Sequence, residues 1–286
     1  MASSFGKTIR LFLIEGNTNG LISAELSNWT GKAFKIPRIQ VKDYLSREEF
    51  RNPGIYILLG KNDKNEDAAY IGEGEPVIDR IKDHLSKKDF WNEVILFVSK
   101  DKYLNKASIK YLENRLHGIG NNANRYYIYN SNIPTMSGVS EAEQAELEEF
   151  LSNVKLLTAT LGHKIFEDIG ETLDKGETQK TTFICKNNAG ALASGSPSTE
   201  GFIVFENSTF IKDYQPSLTE SIRNERAKMI IDGTLVAEGN IYKLIKPYTF
   251  TSSSRAAAMI LGRSATGPGE WATDKGITLK KIESQI

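Results

Sequence analysis

Two short stretches, GIYILLG (residues 54–60) and AAYIG (residues 68–72), decide the fold of the region around them. Both are rich in the apolar, β-branched and aromatic residues that favour strands, and the loop KNDKNED (residues 61–67) between them is polar. Two such runs joined by a polar loop predict an antiparallel hairpin.

This hairpin would bring two tyrosines together. Successive side chains of a strand point to opposite faces, so Tyr56 points away from Ile55 and Ile57, and Tyr70 points away from Ile71. If the strands pair, the two phenols meet on one face while the isoleucines enter the core. Taken singly, each tyrosine is better explained as a packed strand residue; as a pair in this pattern, the two indicate function.

Helices and strands alternate after the hairpin, and the change of hydrophobic period marks each element. The predicted elements are a helix at residues 76–85, a strand at residues 91–99, a helix at residues 104–116 and a strand at residues 125–130. The order β-β-α-β-α-β predicts a compact α+β unit.

The flanks show further elements. TIRLFLI (residues 8–14) and ISAEL (residues 22–26) predict an opening hairpin, and a short helix follows at residues 41–49. Ser140 and Glu143 have the form of a capping box, which predicts a helix with an acidic outer face.

We therefore expect an α+β chain in four parts. They are an N-terminal β-hairpin extension (residues 1–50), a small mixed domain with an antiparallel sheet flanked by helices (residues 51–135), an acidic linker helix region (residues 136–180) and a smaller C-terminal α+β domain (residues 181–286).

Composition excludes several classes of protein. With 40% hydrophobic and 25% charged residues, the 286-residue chain is typical of a globular protein. No apolar run approaches the roughly 20 residues that span a bilayer, and Ile9 to Ile14 is too short for a signal peptide. We expect a cytoplasmic protein with no membrane partner. The single cysteine, Cys185, excludes an intramolecular disulfide and a thiolate zinc site.

Net charge gives no global signal for nucleic acid, because 36 basic residues balance 36 acidic ones. The first 135 residues nevertheless carry a small basic surplus, and the acidic excess lies mainly in residues 136–180. This distribution permits a local phosphate-binding surface without requiring one.

Three polar residues stand out on the predicted helices. Arg80 and His84 are four positions apart and share a helix face. Glu113 projects from the apolar side of its helix, where a carboxylate is costly unless it is paired or binds a cation. A salt bridge to a neighbouring Lys or Arg and a Mg²⁺ site are both compatible with this position.

Gly54-Ile55-Tyr56 and Tyr70-Ile71-Gly72 resemble the signature of the GIY-YIG nuclease superfamily, and the resemblance extends over about residues 50–135. The flanks, TIRLFLIEGNTNGLISAELSNWTGKA and SSSRAAAMILGRSATGPGEW, resemble GIY-YIG proteins that carry a C-terminal domain of the DUF4357 type.

The resemblance implies a catalytic set at matching positions. Its members are Tyr56, Tyr70, Arg80, His84, Glu113 and either Asn130 or Asn132. It further implies that Glu113 is the metal ligand. The glycines have two readings: Gly54 and Gly72 bound strands, or Gly72 and Gly74 let the backbone approach a phosphate and so shape the site.

The activity implied is metal-dependent hydrolysis of DNA by an endonuclease with Mg²⁺ or Mn²⁺ as cofactor. Tyr56 would help to deprotonate a water, assisted by Tyr70 or His84, and nearby cations would have to lower the phenol pKa from its usual value of about 10. Arg80 would stabilise the charge on the pentacovalent phosphate, and Mg²⁺ on Glu113 would act as Lewis acid. The asparagine would orient the phosphate or a metal-bound water.

The alternative is a non-catalytic module that retains the fold and binds nucleic acid or protein. The C-terminal domain offers no catalytic constellation, and we expect it to recognise the substrate or a protein partner. Its Arg255 and Arg263 are spaced for one helix face, although an ordinary surface explains them better.

Overall fold

The computed structural model describes most of the chain, namely residues 5–101, 103–130, 132–167 and 181–285. It divides the chain into two compact units, Met1–Asp168 and Ile169–Ile286. Both units combine an antiparallel sheet with helices, so the chain is α+β as the sequence predicts. No helix in the described part is both long and apolar enough to cross a membrane.

The N-terminal unit is built on a seven-stranded sheet with the order β1-β2-β3-β6-β4-β5-β7. Its strands are β1 (Ile9–Leu13), β2 (Ile22–Leu26), β3 (Gly31–Pro37), β4 (Gly54–Lys61), β5 (Asp67–Gly74), β6 (Trp91–Ser99) and β7 (Tyr127–Ile128). All neighbours are antiparallel except β5 and β7, which pair in parallel. The β4–β5 hairpin therefore forms, and it lies towards one edge of the sheet.

Helices cover both faces of this sheet. They are α1 (Val77–Lys87), α2 (Lys106–Ala123) and α3 (Glu141–Thr160). On one face, Ile55 and Ile57 of β4 share a core with α2 and α3; on the other, Tyr56 and Leu58 share a second core with α1. The strand is thus buried on both sides, because alternate residues serve different cores.

The C-terminal unit has its own sheet, with the order β12-β13-β11-β9-β10-β14 and β8 paired to β9. The strands are β8 (Phe183–Lys186), β9 (Leu192–Ser198), β10 (Gly201–Val204), β11 (Thr209–Ile211), β12 (Leu235–Glu238), β13 (Ile241–Leu244) and β14 (Tyr248–Phe250). The helices are α4 (Glu220–Ile231), α5 (Ser253–Leu261), α6 (Gly267–Glu270) and α7 (Leu279–Glu283). Helix α5 is buried from Ala256 to Leu261 and forms the centre of this core.

Some sequence predictions match these bounds and others do not. The strand at residues 91–99 and the capping box of Ser140 and Glu143 are confirmed. The helix expected at residues 41–49 is instead two short 3-10 helices, Arg38–Tyr44 and Glu48–Arg51. The last strand, expected at residues 125–130, is reduced to the two residues of β7.

The expected boundary at residue 50 falls inside one sheet, because β3 pairs with β6 along its whole length. Residues 1–50 are therefore part of the N-terminal unit and not a separate extension. Helix α3 of the acidic linker region also packs into that unit through Leu147, Phe150 and Val154. Residues 168–180 of that region lie outside the described residues.

Candidate functional site

The two tyrosines of the β4–β5 hairpin lie on the same face of the sheet and contact each other. Tyr56 is opposite Gly72 and Tyr70 is opposite Leu58, and the two rings stack with centroids 6.3 Å apart at 28°. Tyr56 is 2% exposed, whereas Tyr70 is partly exposed. Tyr70 is therefore the phenol of the pair that is more open to solvent.

The two glycines that follow Tyr70 shape this site. A Cβ at Gly72 would overlap the Tyr56 hydroxyl, and a Cβ at Gly74 would come within 2.9 Å of Arg80 Cγ and of Val77 Cα. The room above Gly72 is thus filled by the Tyr56 ring, so the close approach of a phosphate that the sequence analysis expected at Gly72 does not apply on this side. Both glycines act by letting neighbouring side chains lie against β5.

Helix α1 supplies His84, which is directly hydrogen-bonded to Tyr56. Its Nε2 lies 2.8 Å from the Tyr56 hydroxyl oxygen, and its ring meets Tyr70 edge-on at 5.1 Å between centroids. The Nδ1 atom is buried and has no hydrogen-bond partner among the described residues. Tyr56, Tyr70 and His84 therefore form one aromatic cluster between β4, β5 and α1.

Burial sets the protonation of this cluster. It lowers the pKa of His84 to about 4, with Lys88 and Arg80 adding to the effect, so the imidazole is neutral at neutral pH. Burial and the neighbouring Tyr70 raise the pKa of Tyr56 well above its usual value. The surrounding protein thus makes Tyr56 a weaker acid, which is opposite to the shift expected for a phenolate base.

Glu113 of α2 is half-buried and unpaired. Its carboxylate makes no hydrogen bond or ion pair with any described residue, so the salt bridge considered from the sequence is not formed. Burial and the negative charge of Glu73 raise the pKa of Glu113 to about 7. Without a bound cation, Glu113 is therefore only partly ionised at neutral pH.

Glu73 and Lys106 are the site residues that sequence reasoning missed. Lys106 Nζ lies 2.7 Å and 2.8 Å from the two carboxylate oxygens of Glu73, and the Glu73 side chain is only 10% exposed. Strand alternation could have indicated Glu73, because it shares the face of Ile71, which packs against the same core as α2.

Arg80 is exposed and makes no hydrogen bond or ion pair within the described residues. Burial dominates the pKa shifts of Tyr56, Tyr70, His84 and Glu113, but the Arg80 charge contributes to all four. This guanidinium is therefore the positive charge that the predicted site residues share.

The two candidate asparagines differ in their surroundings. Asn130 uses its whole side-chain amide on the β5 backbone: its Nδ2 donates to Ile71 O (2.7 Å) and its Oδ1 accepts from Ile71 N (3.0 Å). Asn132 is exposed, and its side chain makes no hydrogen bond with any described residue. Asn130 thus holds the strand between Tyr70 and Gly72, whereas no such bond links Asn132 to it.

The donor set of Glu113 suits a hard divalent cation. Carboxylate oxygens are the ligands that Mg²⁺ prefers, and Mg²⁺ commonly keeps most of its waters. The unpaired Glu113 oxygens offer such a ligand, with Glu73 near enough to raise the Glu113 pKa. Among the described residues, no group of three or more His, Cys, Asp or Glu side chains is placed to hold a metal, so Glu113 would have few protein partners in coordination.

Comparison with known proteins gives one match. No curated protein and no solved structure matches the chain. Residues 183–283, which include nearly all of the described C-terminal unit, match the family model of DUF4357, a domain of unknown function.

Proposed function

We propose that the N-terminal unit is a metal-dependent DNA endonuclease of the GIY-YIG type, which hydrolyses phosphodiester bonds. One observation carries the proposal: within the described residues, Arg80 has no carboxylate partner, and its charge affects the pKa values of the hydrogen-bonded Tyr56–His84 pair and of Glu113. A scaffold gains nothing from an unpaired cation, two hydrogen-bonded aromatic acid–base groups and an unpaired carboxylate in one place. The resemblance of residues 50–135 to the superfamily adds support.

The Tyr56–His84 hydrogen bond provides a route for the proton of the attacking water. As the water oxygen bonds to phosphorus, its proton passes to the Tyr56 oxygen while the Tyr56 proton passes to His84 Nε2, 2.8 Å away. This route needs no free phenolate, which is consistent with the raised pKa of Tyr56. It uses the His84 tautomer that carries its proton on Nδ1.

Arg80 stabilises the negative charge that grows on the phosphate oxygens as the new bond forms. Its guanidinium is exposed and forms no ion pair with the part of the chain that the structure describes, so it can donate to two of these oxygens at once. The bond to the leaving oxygen then breaks, and that oxygen takes a proton from solvent, which leaves a phosphate monoester and a hydroxyl.

Glu113 would hold Mg²⁺ or Mn²⁺ through a carboxylate oxygen, and the negative charge of Glu73 near it would add to the attraction for the cation. The cation, when bound, supplies Lewis acidity to the phosphate. Binding requires the ionised form of Glu113, and its pKa of about 7 means that cation and proton compete at this carboxylate.

Nicking of a supercoiled plasmid tests the proposal. We expect cleavage with Mg²⁺, none with EDTA, and none with Glu113→Gln in either buffer. The matched control is Glu149→Gln, an exposed carboxylate of α3 without a described partner, which should cut like the unaltered chain. DNA binding without cleavage under any metal condition would favour the non-catalytic alternative.

A further inference from the structure

The C-terminal unit carries a row of cations and aromatic rings outside the nuclease site. Arg223 lies over the Tyr214 ring (5.2 Å), and Arg226 lies 5.9 Å from Tyr214 and 5.3 Å from Tyr242. Lys212 lies 5.8 Å from Tyr242. The five side chains therefore alternate, Arg223–Tyr214–Arg226–Tyr242–Lys212, and we call this row the cation–aromatic ladder. All four distances are within the range of cation–π attraction.

The three cations of the ladder lack carboxylate partners within the described part of the chain. Arg223 donates to the Leu218 and Pro216 carbonyls, and Lys212 donates to the Gly239 carbonyl. The negative charge of Asp213 acts on Arg226, but Asp213 forms no ion pair with any described residue. No cation of the ladder is thus held in an ion pair within the described part of the chain.

Arg226, at the centre of the ladder, is buried in the C-terminal unit. It is 3% exposed and donates to the carbonyls of Ile211 and Lys212, while its Nη1 is buried without a hydrogen-bond partner. A buried guanidinium without an anion is costly to a fold. It lies against two tyrosine rings, of which Tyr214 is 50% exposed.

We propose that the cation–aromatic ladder binds single-stranded nucleic acid, with a base packed against the exposed part of the Tyr214 ring and backbone phosphates at Arg223 and Lys212. Strand-binding proteins combine exposed aromatic rings with cations in this way. An acidic peptide would pair with the cations but would make no use of an exposed ring held by a buried arginine. The choice of DNA as the natural strand rests on the proposed nuclease function; the binding itself does not require cleavage.

Fluorescence anisotropy of the full chain with a labelled single-stranded oligonucleotide in EDTA tests the proposal. Tyr214→Ala should weaken binding at least about fivefold, the scale of one lost stacked base. Arg223→Gln and Lys212→Ala should each reduce the slope of log affinity against log salt by about 0.7. The matched controls are Leu192→Ala, which removes an exposed apolar side chain of the same unit, and Lys280→Ala, which removes an exposed cation; both should bind normally.

Photocrosslinking with an iododeoxyuridine-substituted strand locates the contact, since the nuclease site should bind DNA as well. We expect the crosslinked peptide to contain Tyr214. The proposal is overturned if Tyr214→Ala and Arg223→Gln bind like the unaltered chain, or if all crosslinks map to residues 1–167. Equal competition by polyglutamate would also overturn it, in favour of an acidic protein partner. If only plasmid cleavage failed, the nuclease proposal would be wrong, but the proposal that the ladder binds a single strand would be unaffected.

Discussion

Among the described residues, the charged side chains that the sequence singles out are paired in the C-terminal unit and unpaired in the N-terminal unit. In the C-terminal unit, both arginines form ion pairs: Arg255 Nε, in α5, lies 2.6 Å from Glu225, and Arg263 Nη2, just after α5, lies 2.9 Å from Glu270. In the N-terminal unit, the Arg80 charge opposes the rise in the pKa of Glu113, but the two side chains form no ion pair. Paired charges hold a structure together, whereas unpaired ones near a buried cluster mark a place for a ligand.

Arg80→Ala is predicted to have the strongest effect on cleavage, and it tests whether the unpaired charge has a function. If Arg80 serves the transition state, cleavage at saturating DNA should slow by about 100-fold or more, on the scale of losing one preorganised donor. DNA affinity should fall much less, and Arg80→Lys should rescue poorly, because an ammonium does not reproduce the planar fork. Single-turnover cleavage measures the rate.

Lys82→Ala is the control for this experiment, because Lys82 lies on the same helix and its one ion pair among the described residues is with the exposed Asp79. We expect its cleavage rate to be normal. A normal rate for Arg80→Ala at saturating DNA would show instead that Arg80 is an ordinary groove-binding cation.

The pH dependence of cleavage comes next in size. Only ionised Glu113 can hold a cation, so the rate should rise with pH through about 7, by up to about tenfold per pH unit below that midpoint. More Mg²⁺ should move the midpoint to lower pH, since the cation competes with the proton. His84, with its pKa near 4, stays neutral throughout pH 5.5–8 and adds no second step. A rate that is flat from pH 5.5 to 8 at limiting Mg²⁺ would contradict this role of Glu113.

Removing a paired carboxylate should destabilise the C-terminal unit. Glu225 accepts from both Arg255 and the Tyr248 hydroxyl (3.0 Å), and its side chain is largely buried. We expect Glu225→Gln to lower the free energy of unfolding by about 1–3 kcal/mol, as for a hydrogen bond to a charged group. Urea denaturation measures it, with Glu149→Gln as a surface control within about 0.5 kcal/mol of the unaltered chain. An unchanged unfolding midpoint would mean that the pair contributes nothing.

The last prediction is a small gain in stability when Glu113 is neutralised. The folded state raises the pKa of Glu113 above its usual value, so its ionised form opposes folding; this cost is absent below the usual pKa and fully present above about 7. Glu113→Gln should therefore stabilise the protein at pH 8 in EDTA, by less than about 1 kcal/mol because solvent screens the half-buried group. At pH 4 the stabilisation should vanish. A loss of stability at pH 8 would show that Glu113 has a structural role.

The sequence predicts the parts of the site that local spacing determines. Strand alternation places Tyr56 and Tyr70 on one face, and the turn of a helix places Arg80 and His84 together. It cannot reveal Lys106 beside Glu73, because that ion pair joins α2 to a strand 33 residues earlier in the chain. Nor can it show that burial raises the pKa of Tyr56, since both faces of the sheet are covered only after folding.

The same distinction holds for the strands, some of which can be predicted from the local sequence and some of which cannot. Strand β6 is evident from its apolar run, whereas β9, with the sequence LASGSPS, has no strand-like pattern and is recognised only by its neighbours β8, β10 and β11. Its small residues fit beside large ones, as Gly195 does: a Cβ there would overlap the Ile203 carbonyl and the Phe202 ring.

The bond between Asn130 and the β5 backbone has a consequence for how the chain avoids self-association. Strand β7 ends at Ile128, and the Tyr129 amide still donates to Ala69 O (2.8 Å), so the Asn130 side chain continues the ladder by one further residue. An unpaired edge is a template on which another chain can add a strand and begin to aggregate. The Asn130 amide occupies the backbone N–H and C=O of Ile71, so another strand cannot pair there. A single side chain is too short to extend the sheet, and it leaves Tyr70 partly exposed beside it.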